Sequence, residues 1–90
     1  MRVTLVEGGE VSRLVFEGDM TLEFSNEMED RIIGAMRRRK PVQVDLSAVE
    51  EIDLCGVHML GMMQTMGKDK VDIVATSPAV ERRFRKLLSN

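Results

Sequence analysis

Apolar and polar residues alternate in two short runs at the start of the chain. Val3 and Leu5 flank Thr4; after Glu7-Gly8-Gly9-Glu10 the alternation resumes, with Leu14 and Phe16 set among Arg13, Val15 and Glu17. Successive side chains of a strand point to opposite faces, so this period of two around a Gly-Gly pair predicts a hairpin whose second strand closes at Gly18-Asp19. From about Thr21 the period changes. Phe24, Met28, Ile32 and Met36 recur at helical spacing, widened by Ile33 and Ala35, and predict a first helix opened by acidic and closed by basic residues. Pro41 stops it, because proline has no N–H and pushes its predecessor out of helical geometry.

Val42, Val44 and Leu46 alternate with Gln43 and Asp45 as a third strand, which runs through an acidic turn into a helix beginning near Cys55. That helix carries Val57, Met59, Leu60, Met62, Met63 and Met66, apolar on more than one face, and ends at Gly67. Val71 to Ala75 is nearly all apolar apart from Asp72, the pattern of a fourth strand covered by neighbours. Ser77 is placed to cap the last helix and Pro78 fits its first turn. There Val80, Phe84, Leu87 and Leu88 share one side, with Glu81, Arg82, Arg83, Arg85 and Lys86 elsewhere. The order β-β-α-β-α-β-α predicts an α/β fold: a mixed four-stranded sheet with three helices, parallel neighbours and right-handed crossovers, in one domain spanning 1–90.

Composition narrows the function. A chain 43% hydrophobic and 31% charged is that of a soluble globular protein. A net charge of −2 without Trp or Tyr argues against nucleic acid. One cysteine forms no internal disulfide and suits a reducing compartment. Charge breaks the first residues too early for a signal peptide, and no apolar run approaches the roughly 18 residues of a membrane span. The expectation is a cytoplasmic protein. Arg37-Arg38-Arg39-Lys40 complements the negative end of the first helix; the rival reading is an anionic partner, a lipid headgroup or an acidic protein surface.

Three loops should converge beyond the carboxyl ends of the parallel strands: Gly18-Asp19-Met20, Ser47 through Gly56, and Thr76-Ser77-Pro78. Asp53 is placed to cap the helix that follows it. Cys55 and His58 stand three apart, but no third group orients the imidazole, and packing explains both better than catalysis or redox sensing at Cys55. One His, one Cys and scattered carboxylates offer no zinc ligand set, and Glu7-Gly8-Gly9-Glu10 has no phosphate-loop spacing, so neither metal nor cofactor is expected. Met59, Met62, Met63 and Met66 cannot all face the sheet; an adaptable apolar patch beside the turn suits partner docking.

Asp45-Leu46-Ser47, then Ile52-Asp53-Leu54-Cys55-Gly56-Val57 with Leu60, then Ala75-Thr76-Ser77-Pro78-Ala79-Val80 with Phe84, resemble the STAS domain of sulfate transporters and anti-sigma factor antagonists. The resemblance implies a protein-binding module and not an enzyme. In bacterial antagonists the hydroxyl residue after the turn's aspartate is phosphorylated by an anti-sigma factor that is also a kinase. That position is Leu54 here, which has no acceptor oxygen, so the phosphoswitch cannot operate there. The resemblance leaves open an anti-sigma factor or kinase-like partner, the ATPase of a lipid-trafficking ABC transporter, or a chemosensory protein. The expected partner-binding residues are Asp19, Asp53, Leu54, Cys55, Gly56, Val57, His58 and Met62. The chain stops at Asn90, soon after the last helix, where many relatives continue with a further segment, so one edge is expected to be left for another chain to cover, and a homodimer is among the expected assemblies.

Overall fold

A computed structural model describes residues 1–88, and the side expected for the Leu88 side chain lies outside the described residues. Strands β1 (Arg2–Gly8) and β2 (Val11–Met20) form the predicted hairpin, antiparallel from Arg2 opposite Glu17 to Gly8 opposite Val11. The connection is Gly9-Glu10, with Gly9 at φ +69°, the left-handed backbone that a tight hairpin turn demands at its first central position. One 3-10 turn, Leu22–Phe24, leads into α1 (Ser25–Met36). Then follow β3 (Val42–Ile52), α2 (Leu54–Gly67), a second 3-10 turn at Lys68–Lys70, β4 (Val71–Thr76) and α3 (Pro78–Leu88). The sheet order is β1-β2-β3-β4, with β3 parallel to both neighbours, as the two crossovers require.

Alternation places Val3, Leu14, Phe16, Val42 and Val44 on one buried face, in register across three strands. Helices α1 and α2 pack against each other and over the sheet, closing the core with Met28, Ile32, Met59, Leu60 and Met63. Each of these long apolar side chains contributes on the order of 1.5–3 kcal/mol by leaving water. Ser77 caps α3 as expected, its Oγ accepting from the Val80 N–H at 3.2 Å, and Val80 is fully buried.

Three local expectations need correction. The third strand does not end at Leu46; it continues to Ile52, and the acidic turn shrinks to Asp53 alone. Gly18-Asp19-Met20 is strand as well, paired with the end of β3. Strand β4 is an edge, not covered on both sides: Val74 is exposed, and its pairing with β3 stops at Leu46 opposite Thr76. The strand continues because it stays paired with β2 as far as Ile52 opposite Met20, and a pair of bulges disguises that continuation by breaking the alternation. Val15 and Glu17 face Asp45 and Ala48, and Gly18 and Asp19 face Val49 and Glu51, so β3 carries one extra residue at each step. Buried positions therefore fall at Leu46, Val49 and Ile52, three apart, where a strand normally shows two.

The first bulge is pinned by chemistry. Asp45 accepts from the Ser47 hydroxyl at 2.6 Å and the Ser47 N–H at 2.9 Å, with Arg13 at 2.9 Å on the other oxygen. The Ser47 hydroxyl and amide, aided by Arg13, hold the Asp45 carboxyl below its ordinary value despite the opposing pull of burial. The basic run after α1 is partly engaged: α1 ends at Met36, Arg38 pairs with Glu7, and Lys40 donates to the Gly9 carbonyl at 3.1 Å.

One buried group lacks a partner. Ser12 is fully buried at the start of β2, and its hydroxyl meets no hydrogen-bonding atom among the described residues, although its N–H reaches the Pro41 carbonyl at 2.9 Å. Replacing Ser12 by Ala removes an unpaired polar atom from the core. Ser12→Ala should stabilise the fold by about 1 kcal/mol in urea unfolding.

Candidate functional site

Asp53 ends β3 in extended backbone (φ −106°, ψ −172°), and its side chain caps α2, Oδ1 accepting the Gly56 N–H at 3.0 Å. The expected capping role is thus met, but the carboxylate also does a second thing. Its Oδ2 accepts the N–H of Leu22, at the turn between β2 and α1, again at 3.0 Å. One side chain thereby fixes the start of α2 against the end of β2. Burial alone would push the Asp53 carboxyl up; the amides of Leu22, Gly56, Cys55 and Asp53 itself outweigh it and hold the group below its ordinary value.

The same junction explains Gly56. A Cβ there would lie 2.4 Å from the Met20 carbonyl oxygen and 2.7 Å from Ile52 Cγ1, so α2 can approach the sheet this closely only through glycine. The Met20 carbonyl also accepts the Asp53 N–H at 3.3 Å. Asp53 and Gly56 together shape the tip.

The consecutive run from Asp53 to His58 forms the first turns of α2, but its members face different ways. Leu54 is 63% exposed and His58, one turn on, is exposed beside it. Gly56 is buried, and Cys55, Val57 and Met62 are half-buried against the core. Asp19 is half-buried in β2 opposite Glu51. Of the methionines, Met59 and Met63 are in the core, Met62 lies at its border and Met66 projects outward. No hydrogen bond joins Cys55 to His58 among the described residues, and no cluster of three metal-ligating side chains occurs among them.

Two features were missed from the sequence. Leu22 is 69% exposed and anchored by its N–H to the same carboxylate that Leu54 follows. Its signal was present: it is an apolar residue off the Phe24-Met28-Ile32 stripe. The second is a groove of about 650 Å³ between the end of β3 and α3, with Glu50, Glu51 and Asp53 on one wall and Arg82, Arg85 and Lys86 on the other. Arg83 crosses it, its Nε donating to the Ile52 carbonyl at 3.1 Å. The expected third loop, Thr76-Ser77-Pro78, stays level with Leu46, because β4 stops there while β3 runs on; α3 covers the difference.

A capped helix start carrying the exposed Leu54, next to a turn carrying the exposed Leu22, on a mixed sheet defines a small α/β module whose distinctive end offers surface and backbone geometry. The family model described as "Mlab, STAS domain" matches residues 3–89, and the chain belongs to the STAS domain family. Among solved structures it is similar to an anti-sigma factor antagonist from Mycobacterium paratuberculosis, with 24% identity, a TM-score of 0.84, and coverage of 96% of this chain and 76% of that one. It is also similar to the anti-sigma factor antagonist SpoIIAA in its unphosphorylated form, with 12% identity, a TM-score of 0.67, and coverage of 93% and 82%. At these identities the likeness is one of fold. No curated protein matches the chain. No helix among the described residues is long and apolar enough to cross a membrane.

Two predictions follow from the junction. Gly56→Ala should cost about 1–3 kcal/mol in urea unfolding, because a methyl group must displace the Met20 backbone. Asp53 accepts its bonds as a carboxylate, so its stabilisation is present above its ordinary value of 3.8 and lost as pH falls through the lower folded-state value. Asp53→Ala should therefore cost about 0.5–2 kcal/mol at neutral pH and flatten, without abolishing, the loss of stability in acid, since Asp45 retains its own share. Unfolding curves taken from neutral pH into acid measure both.

Proposed function

We propose that this chain is a protein-docking module of the anti-sigma factor antagonist type, without catalytic residues, that engages a regulatory partner through the tip around Asp53. The observation that carries the reading is the pairing of Leu22 and Leu54, both largely exposed and both positioned by one carboxylate. Large apolar side chains on an anchored backbone spare the chain a loop-ordering cost on binding, and each gains on the order of 1.5–3 kcal/mol when covered. His58 extends the surface along α2, while Asp53 and Gly56 give it shape. Cys55, Val57 and Met62 lie beneath as support, and Asp19 contributes at the β2 side.

Leu54 also sets the regulation. The position after Asp53 has no hydroxyl, so no phosphate can be added there to repel a docked partner. Binding is constitutive with respect to that residue. A permanent subunit of a larger machine, such as the ATPase of a lipid-trafficking ABC transporter, is the second reading, and the same absence of a switch favours it.

Affinity capture from the native host should retain a partner with the wild-type chain and lose it with Leu54→Asp or Leu22→Asp, a drop of roughly tenfold or more in affinity, while circular dichroism stays native. Equal retention by all three proteins would refute the tip. Mass spectrometry of the captured partner separates the readings: an anti-sigma kinase, a transporter ATPase or a chemosensory protein.

A further inference from the structure

The opposite pole of the molecule carries a second surface that the docking tip does not use. Val42 and Ile52 bound β3, and ten steps of about 3.3 Å separate the poles by roughly 30 Å. At the Val42 end a groove of about 400 Å³ opens between the end of α1 and the end of α2. Its floor is apolar: Val42 is buried, Met36 and Val71 are half-buried, and Met66 is 51% exposed. Its rim is cationic, formed by Arg39, Lys40, Lys68 and Lys70, with Asp69 the lone carboxylate in the lining.

Three of these four cations are not spent on the fold. Lys40 reaches the Gly9 carbonyl and lies 3.9 Å from Glu7, but the side chains of Arg39, Lys68 and Lys70 meet no carboxylate among the described residues. Two of them sit on uncommon backbone. Arg39 at φ 56° and Lys68 at φ 51°, ψ −125° have positive φ, which asparagine or glycine would adopt at lower cost. Both hold that conformation where the chain leaves a helix and both line the same groove.

We infer that this groove docks an acidic protein segment, with one large apolar side chain on the methionine floor and flanking carboxylates on Arg39, Lys68 and Lys70. Charge complementarity selects the carboxylates, because a rim with one acid among four cations has an unbalanced positive field. Concavity selects a chain over a bilayer. A flat headgroup surface meets the rim but leaves Met66 and the floor uncovered, whereas a projecting side chain fills a recess of this size. The inference is independent of the docking tip.

The test is titration of a synthetic peptide, a central phenylalanine flanked on both sides by glutamates, into the isotope-labelled full chain, followed by amide chemical shifts. Saturable shifts should appear at Met36, Arg39, Met66, Lys68 and Lys70, weaken as salt is raised, and leave Leu22 and Leu54 unmoved. Replacing the phenylalanine by serine should weaken binding several-fold. So should the pair Lys68→Gly and Lys70→Gln, which removes two cations and relieves the positive φ without touching the core. Shifts confined to the α3 arginines, unchanged affinity in the paired variant, or binding to phosphatidylserine vesicles with no response to the peptide would each overturn the inference.

Discussion

The two oxygens of Asp53 accept hydrogen bonds from two different parts of the chain, and the geometry of the whole upper end rests on that division. One oxygen satisfies the Gly56 N–H in the first turn of α2, and the other satisfies Leu22 after β2. Amide groups at a helix start have no partner within the helix, and a carboxylate meets that need while complementing the positive end of the helix dipole. Because Gly56 brings its backbone against the Met20 carbonyl, sheet and helix are held in a single relation. The backbone that carries Leu22 and Leu54 is consequently anchored although neither side chain is packed, which makes them candidates for recognition and not merely stray apolar residues.

The bulges in β3 serve the same end. A regular strand would have placed every second residue inward; β3 instead carries two extra residues against β2, stays paired with it as far as Ile52 opposite Met20, and so runs past its last β4 pair at Leu46 to deliver Asp53 at the end of β2. The Asp45–Ser47 bonds stabilise the first bulge locally. Helix α3 then covers the unpaired length, with Arg83 capping the Ile52 carbonyl that β4 does not reach. Bulge, cap and covering helix are one construction, since each leaves a backbone demand that the next one meets.

The two poles differ in kind. Around Asp53 the exposed apolar groups are knobs, with acidic and basic walls facing each other across the adjoining groove. Around Val42 the apolar surface is a recess and the charge is mostly of one sign. Parallel strands make this polarity inevitable, because all three of β2, β3 and β4 start at one pole and run toward the other. A small module can in this way present two unrelated surfaces without enlarging its core.

Much of this was legible in the residues. Alternation at Val3-Leu5 and Leu14-Phe16, helical spacing from Phe24 to Met36, Pro41, and the Ser77-Pro78 start fixed the element order, because each is a local preference that packing reinforced. Asp53 as a cap was legible for the same reason. What the sequence could not determine alone depended on distant partners. The length of β3 was hidden because bulges change its period from two to three. The edge position of β4 was hidden because an apolar run reads alike whether one or two strands flank it. Leu22 joined Leu54 only through a bond across 31 residues of chain, and Arg39, Lys68 and Lys70 met only when two helix ends came together. Local geometry is written in neighbouring residues; which exposed side chains share a surface is decided by the tertiary fold, since it depends on where separate elements end.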